Sequence, residues 1–185
     1  MELIEKVDCC HAAINAVRPF EGHMLDQLRD YYRIGLTWSS NAIEGNTLTI
    51  SETKVVLEDG LTVAGRPLKD LYETVGHGKA YDFMFSLVGK HHISTSDIKT
   101  MHHLIYKEID EENAGTWRKE PVIVSGTDYI FPHPDELEGL MKELDRWITN
   151  ERENYHPVIF AGLLHLKFVS IHPFMDGNGR TGRLI

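Results

Sequence analysis

The sequence is poor in cysteine, in long apolar runs and in positive charge, and each shortage excludes a class of protein. Its two cysteines, Cys9 and Cys10, are adjacent and cannot build a disulfide framework, which favours a reducing compartment. No stretch approaches the ~20 apolar residues of a transmembrane helix, and the acidic N-terminal stretch lacks the pattern of a secretory signal. We therefore expect a cytoplasmic protein without a membrane anchor.

The charge balance excludes broad electrostatic binding to polyanions. The chain carries 28 acidic and 19 basic side chains, a formal net charge of −9 at pH 7. Binding to DNA, RNA or an anionic membrane needs clustered lysine and arginine. A small anionic ligand needs only a local positive pocket, and such a ligand is compatible with this sequence.

The remaining composition is that of one ordinary folded domain, which we predict to span residues 1–185. Hydrophobic residues make up 42% of the chain and charged residues 25%. A chain of this length can bury a core without disulfides or structural metals. No internal repeat or low-complexity segment interrupts the sequence.

Apolar residues at helical spacing run through most of the chain and predict an all-α fold. Local signals mark where helices begin. A capping box at residues 49–52 opens a short helix, Pro67 opens the next, and Ser94 or Ser96 opens another. Pro157 opens the last long helix, which is apolar nearly all round and is therefore predicted to be central.

One segment departs from the helical pattern. In PVIVSGTDYIF two short β-prone runs flank a Ser-Gly-Thr-Asp turn, which is a hairpin signal. The two runs consist of Val122, Ile123, Val124, Tyr129, Ile130 and Phe131. The predicted fold is therefore a helical bundle with one small β-hairpin.

The stretch HPFMDGNGRTGR, positions 172–183, holds more chemical groups than any other part of the chain. Pro173 disfavours helical geometry at His172, so this imidazole stands at the exit of a rigid helix and can accept a proton near neutral pH. A loop follows that consists of Gly177, Asn178 and Gly179. Such a loop turns tightly, and its N–H groups can bind phosphate at the start of a helix.

Two further features of the stretch complete an anion site. Arg180 and Arg183 are three residues apart and can project from the same side of a first helical turn. Asp176 is adjacent to the loop, where a carboxylate commonly holds Mg²⁺ that bridges phosphates. Each residue alone is compatible with a solvated surface turn, whereas their combination in twelve residues favours nucleotide chemistry.

HPFMDGNGR followed by TGR resembles the signature HPF-x-[D/E]-GNGR-x-x-R of Fic-domain proteins at every position. The resemblance implies a helical bundle with a β-hairpin flap. It also implies transfer of AMP from ATP, with Mg²⁺, to a hydroxyl side chain of a target protein. In the family the flap aligns the hydroxyl-bearing segment of the target beside the histidine.

The resemblance assigns a role to each signature residue. His172 would deprotonate a Ser, Thr or Tyr hydroxyl of the target, which then attacks the α-phosphate. Asp176 would hold the Mg²⁺, and the loop at 177–179 would cradle the α- and β-phosphates. Arg180 would contact the β-phosphate and Arg183 the γ-phosphate. This chemistry is positioning plus neutralisation of charge on a loose transition state.

A second stretch, SSNAIEGN, carries a related signal. Glu44 falls in the last turn of its predicted helix, where the helix dipole disfavours a carboxylate by roughly 0.3–1 kcal/mol. Either a cation lies nearby or Glu44 is solvated and the mismatch is tolerated. Ser40, Glu44, Gly45 and Asn46 resemble the inhibitory motif [S/T]-x-x-x-E-[G/N] of many Fic proteins. The resemblance implies that Glu44 pairs with Arg183 and blocks placement of the γ-phosphate.

The resemblance also divides the predicted domain. Residues 1–48 form an N-terminal helical region with the inhibitory motif, and residues 49–185 form the Fic core. The family's core continues past the signature with further helix that walls the adenine site, whereas only Leu184 and Ile185 follow here. We therefore expect a truncated core with weakened ATP binding.

Other functions stay open at this point. Removal of AMP from a modified target, or transfer of another phosphate-linked group, would use the same residues, and a non-catalytic module would bind a nucleotide or partner through the same fold. The eleven histidines form no compact zinc ligand set, and no Walker sequence is present. The sequence does not specify the target, which can be the chain itself, or the oligomeric state.

Overall fold

Eight α-helices make up most of the regular structure in the computed structural model, which describes residues 3–89, 92–124 and 126–185. Their bounds are α1 Leu3–Asn15, α2 His23–Ile43, α3 Ile50–Lys54, α4 Leu68–Ser86, α5 Thr95–Tyr106, α6 Leu137–Glu151, α7 Pro157–Ile171 and α8 Asn178–Gly182. A π-helical turn, Val55–Asp59, extends α3, and 3-10 turns at Pro134–Glu136 and Arg152–Asn154 flank α6. The predicted all-α fold class is confirmed.

The chain divides into two compact units, Met1–Arg33 and Ile34–Ile185. In the first unit α1 buries none of its residues, and the thiols of Cys9 and Cys10 are free and exposed. All the residues predicted for the functional site lie in the second unit. Of the helices within the described ranges, none is long and apolar enough to span a membrane.

Capping signals in the sequence set several helix ends. Thr49 and Glu52 form the reciprocal capping box that opens α3, as predicted. Ser94 caps α5 through a second capping box with Asp97, which decides between the two serines that the sequence offered. Gly45 takes a left-handed conformation with φ 91°, the geometry that commonly follows a helix end.

The core of the second unit forms where α4, α5, α6 and α7 pack together. Its most completely buried apolar side chains are Ala80, Ile98, Met101, Ile105, Phe168 and Phe174. Gly76 allows the close approach of α4 to α5, because a Cβ at this position would lie 2.6 Å from the carbonyl oxygen of Ile105 and 2.7 Å from that of Leu104. The helices α4 and α5 therefore pack closely against each other, and both carry side chains of the site.

Helix α7 is less enclosed than its composition predicted. Leu164 and Phe168 are buried, whereas Val158, Ile159 and Leu166 are exposed. Among the described residues, α6 and α8 pack against the side of α7 that carries Leu164 and Phe168. Apolar composition alone therefore did not decide how many sides of this helix are covered.

The β-hairpin that the sequence predicted is not formed in the described part of this region. Val122, Ile123, Val124, Tyr129, Ile130 and Phe131 form no strand, and Ser125 of the predicted turn lies outside the described residues. Ile123 is 96% and Ile130 89% exposed. A two-stranded hairpin that buries no apolar face is marginal on its own, so the β-propensity of these runs did not lead to strand pairing. We refer to residues 121–133 as the flap segment.

Candidate functional site

His172 ends α7 in an unusual backbone conformation. With φ 51° and ψ 59° it is, within the described ranges, the one residue other than glycine with a positive φ. Its Nδ1 lies 3.3 Å from the carbonyl oxygen of Val169. Because a carbonyl oxygen can only accept, Nδ1 carries the hydrogen and Nε2 is left as a proton acceptor.

The surroundings of His172 keep its imidazole neutral. Burial lowers the pKa of His172 and the positive charge of Arg118 lowers it further, against the opposing effects of the Val169 carbonyl and the Asp176 carboxylate. The pKa therefore lies below its ordinary value of 6.5. A neutral imidazole near pH 7 is the form that acts as a general base.

Arg118, which no sequence motif marks, connects His172 to the flap segment. Its buried guanidinium donates to the carbonyl oxygens of His172 (2.8 Å), Glu120 (3.0 Å) and Pro132 (2.6 Å). Its backbone N–H donates to the carbonyl of Pro173 at 2.8 Å. The forked guanidinium suits several diverging acceptors, unlike a lysine ammonium. One side chain thus fixes both ends of the flap segment relative to His172.

Aromatic contacts bring the second run of the flap segment beside the imidazole. The ring of Phe131 lies 4.5 Å from that of His172, centroid to centroid, and Tyr129 packs edge-on against Phe131 at 5.0 Å. The predicted proximity of this segment to His172 therefore exists without strand pairing. The Phe131 side chain thus lies beside the ring that carries the proton acceptor.

The loop after α7 is braced from within by Asn178. This side chain, 1% exposed, accepts from the N–H of Phe174 at 3.0 Å and donates to its carbonyl at 2.9 Å. Gly177 has φ 77°, and a Cβ there would lie 2.9 Å from Cδ2 of Tyr106. The first N–H groups of α8 have no acceptor within the helix. These N–H groups are what residues 176–180, here called the anion loop, can offer to a phosphate.

Asp176 carries a negative charge next to these N–H groups. Its Oδ1 accepts from the N–H of Gly177 at 2.6 Å. Burial raises the pKa of this carboxyl, but the hydroxyl of Tyr106, the N–H of Gly177 and the charge of Arg180 together outweigh burial. The pKa of Asp176 therefore lies below its ordinary value, and the group is ionised at neutral pH.

His102 supports the loop from α5. Its Nδ1 accepts from the N–H of Gly115 at 2.9 Å, so Nε2 carries the hydrogen and donates to the carbonyl oxygen of Asp176 at 3.0 Å. The ring stacks on Phe174 with 3.6 Å between centroids. Burial lowers the pKa of His102 to about 4. This neutral imidazole is a structural support and not a second base.

Arg180 is almost completely buried. Its side chain is 3% exposed, and Nη1 donates to Oε1 of Glu73 at 2.9 Å. Nη2 donates to the hydroxyl of Tyr106 at 2.5 Å, and that hydroxyl also hydrogen-bonds to Asp176. A buried cation requires a buried partner, and Glu73 supplies it. The direct contact of Arg180 with the β-phosphate stays a prediction. Through the hydroxyl of Tyr106, Arg180 supports Asp176.

Arg183 is held by residues 40–46, here called the upstream segment. Its Nε donates to the hydroxyl of Ser40 at 2.9 Å, and Nη2 donates to the Ser40 carbonyl at 3.0 Å and to Oε1 of Glu44 at 2.7 Å. A Cβ on Gly179 would lie only 2.7 Å from that Oε1. The Glu44 carboxylate therefore lies against the anion loop, and Arg183 is the nearby cation that the sequence left open.

The upstream segment is attached to α4 just after Gly45. The Asn46 side-chain amide donates to the carbonyl of Asp70 at 3.0 Å and to Oε2 of Glu73 at 3.0 Å. The N–H and hydroxyl of Thr47 both donate to Oδ2 of Asp70, at 2.7 and 2.6 Å. These hydrogen bonds attach the segment that follows α2 to α4.

The donor set suits a magnesium–nucleotide complex better than a metal bound by protein alone. The ranges that the structure describes hold no group of three or more His, Cys, Asp or Glu side chains that could hold a metal ion. Asp176 supplies one ionised carboxylate beside the anion loop. Mg²⁺ typically takes one or two carboxylates and completes its shell with phosphate oxygens and water.

The fold and these groups together define a Fic domain, and the chain belongs to the Fic/DOC family, whose family model matches residues 92–185. The protein adenylyltransferase Fic of Drosophila melanogaster is 35% identical over 184 residues, which cover 98% of this chain and 37% of the relative. That of Drosophila mojavensis is 39% identical over 150 residues, or 80% of this chain and 30% of the relative. The chain thus spans about a third of the length of these curated relatives.

Solved structures show the same fold. A Fic-domain signalling protein from Bacteroides thetaiotaomicron superposes with a TM-score of 0.87 at 28% identity, covering 96% of this chain and 70% of that one. Fic-1 from C. elegans gives a TM-score of 0.83 at 28% identity, covering 97% of this chain and 53% of that one. The boundary at residues 48 and 49 stays a prediction.

Four side chains of the site carried no motif in the sequence: Glu73, His102, Tyr106 and Arg118. Their contacts with the signature join residues that are 54 to 107 positions apart. The one signal in the sequence that could have indicated these residues was a polar side chain adjacent to a predicted core residue, as His102 is to Met101. Polar residues of this kind are usually exposed, so the sequence did not distinguish them.

Proposed function

We propose that this chain is the catalytic part of a protein adenylyltransferase, which transfers AMP from ATP to a hydroxyl side chain of a target protein. The observation that carries the proposal is a neutral His172 and an ionised Asp176 at the two ends of one braced loop. A base that faces a phosphate-binding loop is the arrangement that nucleotidyl transfer to a hydroxyl requires. Residues 49–185 supply the core and residues 1–48 the regulatory region.

Proton transfer to His172 starts the reaction. Nε2 accepts the proton of the target hydroxyl, because Nδ1 already carries a hydrogen directed at Val169. The freed oxygen forms a bond to the α-phosphorus of ATP, and the bond from that phosphorus to the bridging oxygen breaks. Pyrophosphate leaves with the bonding electrons, and the product is AMP in ester linkage to the target.

The anion loop binds the phosphates that the reaction rearranges. The loop at 177–179 would cradle the α- and β-phosphates through the N–H groups of Asn178 and Gly179, while the N–H of Gly177 is bound to Asp176. Arg183 neutralises the γ-phosphate once Glu44 has released it. Asp176 is the residue that would hold Mg²⁺. When bound, Mg²⁺ neutralises charge on the phosphate oxygens. Arg180 supports Asp176 through the hydroxyl of Tyr106, and it would also contact the β-phosphate.

The flap segment docks the target. Its residues 122–124 and 129–131 form no strand, two of its isoleucines are almost wholly exposed, and Phe131 contacts the His172 ring. An extended peptide can pair with such backbone through main-chain hydrogen bonds. Pairing of this kind would place a hydroxyl of the target, or of a second copy of this chain, beside Nε2.

We also propose that the upstream segment inhibits the enzyme. Ser40 and Glu44 occupy Arg183, and the Glu44 carboxylate lies against Gly179. A carboxylate at this place repels a γ-phosphate and removes its cationic partner. Glu44 directly follows the last residue of α2, Gly45 turns the chain there, and Asn46 attaches this turn to α4.

Incubation with Mg²⁺ and ATP labelled at the α-phosphate tests both proposals. We expect protein-bound label on the chain itself, a severalfold or larger increase with Glu44→Gly, and no label with His172→Ala. Ser40→Ala, which removes one of the three contacts to Arg183, serves as the matched control and gives a smaller increase. Retained ATP without covalent label would indicate a nucleotide-binding module, and equal labelling by wild type and Glu44→Gly would refute inhibition by Glu44.

The position of Glu44 favours one second candidate, the removal of AMP from a modified target. A carboxylate against the anion loop can orient a water molecule for attack on the phosphoester. Under this alternative Glu44→Gly abolishes release of AMP from a labelled target while it increases labelling. Release at the wild-type rate by Glu44→Gly would exclude it.

A further inference from the structure

One buried carboxylate joins the upstream segment to the anion loop. Oε1 of Glu73 accepts from Nη1 of Arg180 at 2.9 Å, and Oε2 accepts from Nδ2 of Asn46 at 3.0 Å. Glu73 is 4% exposed. Lys69 is the other cation near it, at 3.8 Å from Oε1, but its ammonium is largely in solvent and contributes little. Each oxygen of Glu73 therefore holds a different part of the site.

We propose that Glu73 is a positioning residue that couples the upstream segment to the anion loop by holding Asn46 with one carboxylate oxygen and Arg180 with the other. Its effect on turnover rests on the adenylyl transfer proposed above. The inference goes beyond the direct contact between Glu44 and Arg183, since Glu73 contacts neither of those residues in the hydrogen bonds described.

The chemistry of this position calls for a carboxylate. Both oxygens of an ionised carboxylate accept hydrogen bonds, so one group can serve a guanidinium and an amide at once. A glutamine would present its own N–H₂ group to one of these two donors. Buried ion pairs are weak contributors to stability, because desolvation offsets their attraction. The role of Glu73 is therefore better explained by the positioning of Arg180 than by a gain in stability.

The contacts continue from Glu73 towards the reacting groups in both directions. Arg180 donates to the hydroxyl of Tyr106, which also hydrogen-bonds to Asp176. Asn46 is two residues from Glu44, whose carboxylate binds Arg183. Coupling free energies are reciprocal. Weakening the contact of Glu73 with Asn46 therefore also weakens its contact with Arg180, and the reverse holds. Release of Asn46 is thus expected to help Glu44 leave the anion loop.

Asn46→Asp removes the amide donor on the inhibitory side, which serves both Glu73 and the carbonyl of Asp70. The new side chain keeps the oxygen that accepts from the Leu48 N–H at 3.1 Å, but it places a second acceptor against Glu73. We expect about tenfold faster labelling when Glu44 is present and no further rise in the Glu44→Gly protein. Asn154→Asp is the matched control, because it also places an acceptor against a glutamate, Glu151, but lies outside the site, and it should label near the wild-type rate.

Glu73→Gln isolates the contact on the catalytic side when Glu44→Gly is also present. With inhibition already removed, we expect labelling to fall by about tenfold or more, because Arg180 is left as a buried cation without its partner. Asn46→Asp causes no such fall in the same background. If Glu73 had only a structural role, the substitutions would lower the melting temperature. They would not raise the labelling rate with Asn46→Asp and lower it with Glu73→Gln.

Hydrogen–deuterium exchange provides a readout that does not need activity. Glu73→Gln should accelerate exchange in residues 41–48 and in residues 178–183, and Asn46→Asp mainly in 41–48. Unchanged exchange in both segments, or wild-type labelling by Asn46→Asp in an otherwise active enzyme, would overturn the coupling. If Glu44→Gly takes up no label, the proposed transferase function fails instead, and the exchange measurement alone decides the role of Glu73.

Discussion

At the scale of single residues, the site depends on two groups in opposite protonation states. His172 is neutral because it is half-buried and close to Arg118, and Asp176 is ionised because Tyr106, Gly177 and Arg180 stabilise its charge. Either group in its other state would lose its proposed role. A protonated imidazole cannot accept a proton, and a neutral carboxyl is a poor ligand for Mg²⁺.

The pH dependence of labelling is a direct test of the state of His172. The base form predominates above the pKa, which lies below 6.5 through burial and Arg118, with Asp176 acting in the opposite direction. For Glu44→Gly we expect the rate to be flat near neutral pH and to fall by about tenfold per pH unit on the acid side. The midpoint should lie below pH 6.5. A midpoint at or above 6.5 would contradict the assignment, and His172→Ala should be inactive throughout.

At the scale of elements, the site lies where the anion loop and the flap segment meet the helices α4, α5, α7 and α8. Arg118 joins the flap segment to the end of α7 through three carbonyl oxygens. His102 and Tyr106 of α5 hold the anion loop, and Glu73 of α4 holds the start of α8. Each element is thus positioned by a side chain from another one.

Arg118→Lys should uncouple the flap segment from His172. A single ammonium cannot reach the three carbonyl oxygens together, and each unpaired buried group costs about 1–3 kcal/mol. We expect labelling by Glu44→Gly to fall by about tenfold or more, with faster hydrogen exchange in residues 127–133. Arg66→Lys is the control, because Arg66 is also bound through its fork, to Glu52, but lies outside the site. Equal rates for both variants would exclude a positioning role.

Gly76→Ala tests the packing of α4 on α5. The added Cβ would lie 2.6 and 2.7 Å from two carbonyl oxygens of α5, which are backbone atoms and cannot move aside cheaply. We expect the free energy of unfolding to fall by about 1–3 kcal/mol or more. At Gly139 in α6 a Cβ meets nothing within 4 Å, so Gly139→Ala should stabilise by up to about 1 kcal/mol. Chemical denaturation of both variants measures the contrast, and an unaffected Gly76→Ala protein would contradict the close approach.

At the scale of the whole molecule, two buried imidazoles link stability to pH. His77 accepts or donates a hydrogen bond with Thr37 at 3.0 Å, and burial lowers its pKa to about 3. Burial lowers the pKa of His102 to about 4. In the unfolded chain both groups titrate near 6.5. Below that pH the unfolded state therefore binds protons that the folded state does not.

The second unit should accordingly lose stability as the pH falls from 6.5 to 5. The native state stays unprotonated at both histidines in this window, so the contribution to stability is complete above about 6.5 and decreases by about 1.4 kcal/mol per pH unit for each group. Urea denaturation at several pH values measures this slope. His77→Asn should reduce it by about half. A free energy of unfolding that does not change between pH 6.5 and 5 would contradict the burial of both imidazoles.

The sequence by itself determined the features that depend on neighbours in the chain. The capping boxes of α3 and α5 join residues three positions apart, and Gly45 needs only its own conformational freedom. The signature stretch also folds locally, since Asn178 braces Phe174 four residues before it. Helix positions and the location of the candidate base and carboxylate could therefore be predicted.

Only the tertiary structure decided which groups are buried and which partners they take. Arg180 is paired with Glu73 across 107 residues, and Arg183 meets Ser40 across 143. The predictions of strand pairing in the flap segment and of a fully enclosed α7 were wrong for the same reason. Both features depend on whether another surface covers an apolar side chain. Burial is a property of the assembled core, and it determines both the pKa of His172 and the depth of Arg180. Local sequence patterns therefore do not predict which of these polar side chains are buried.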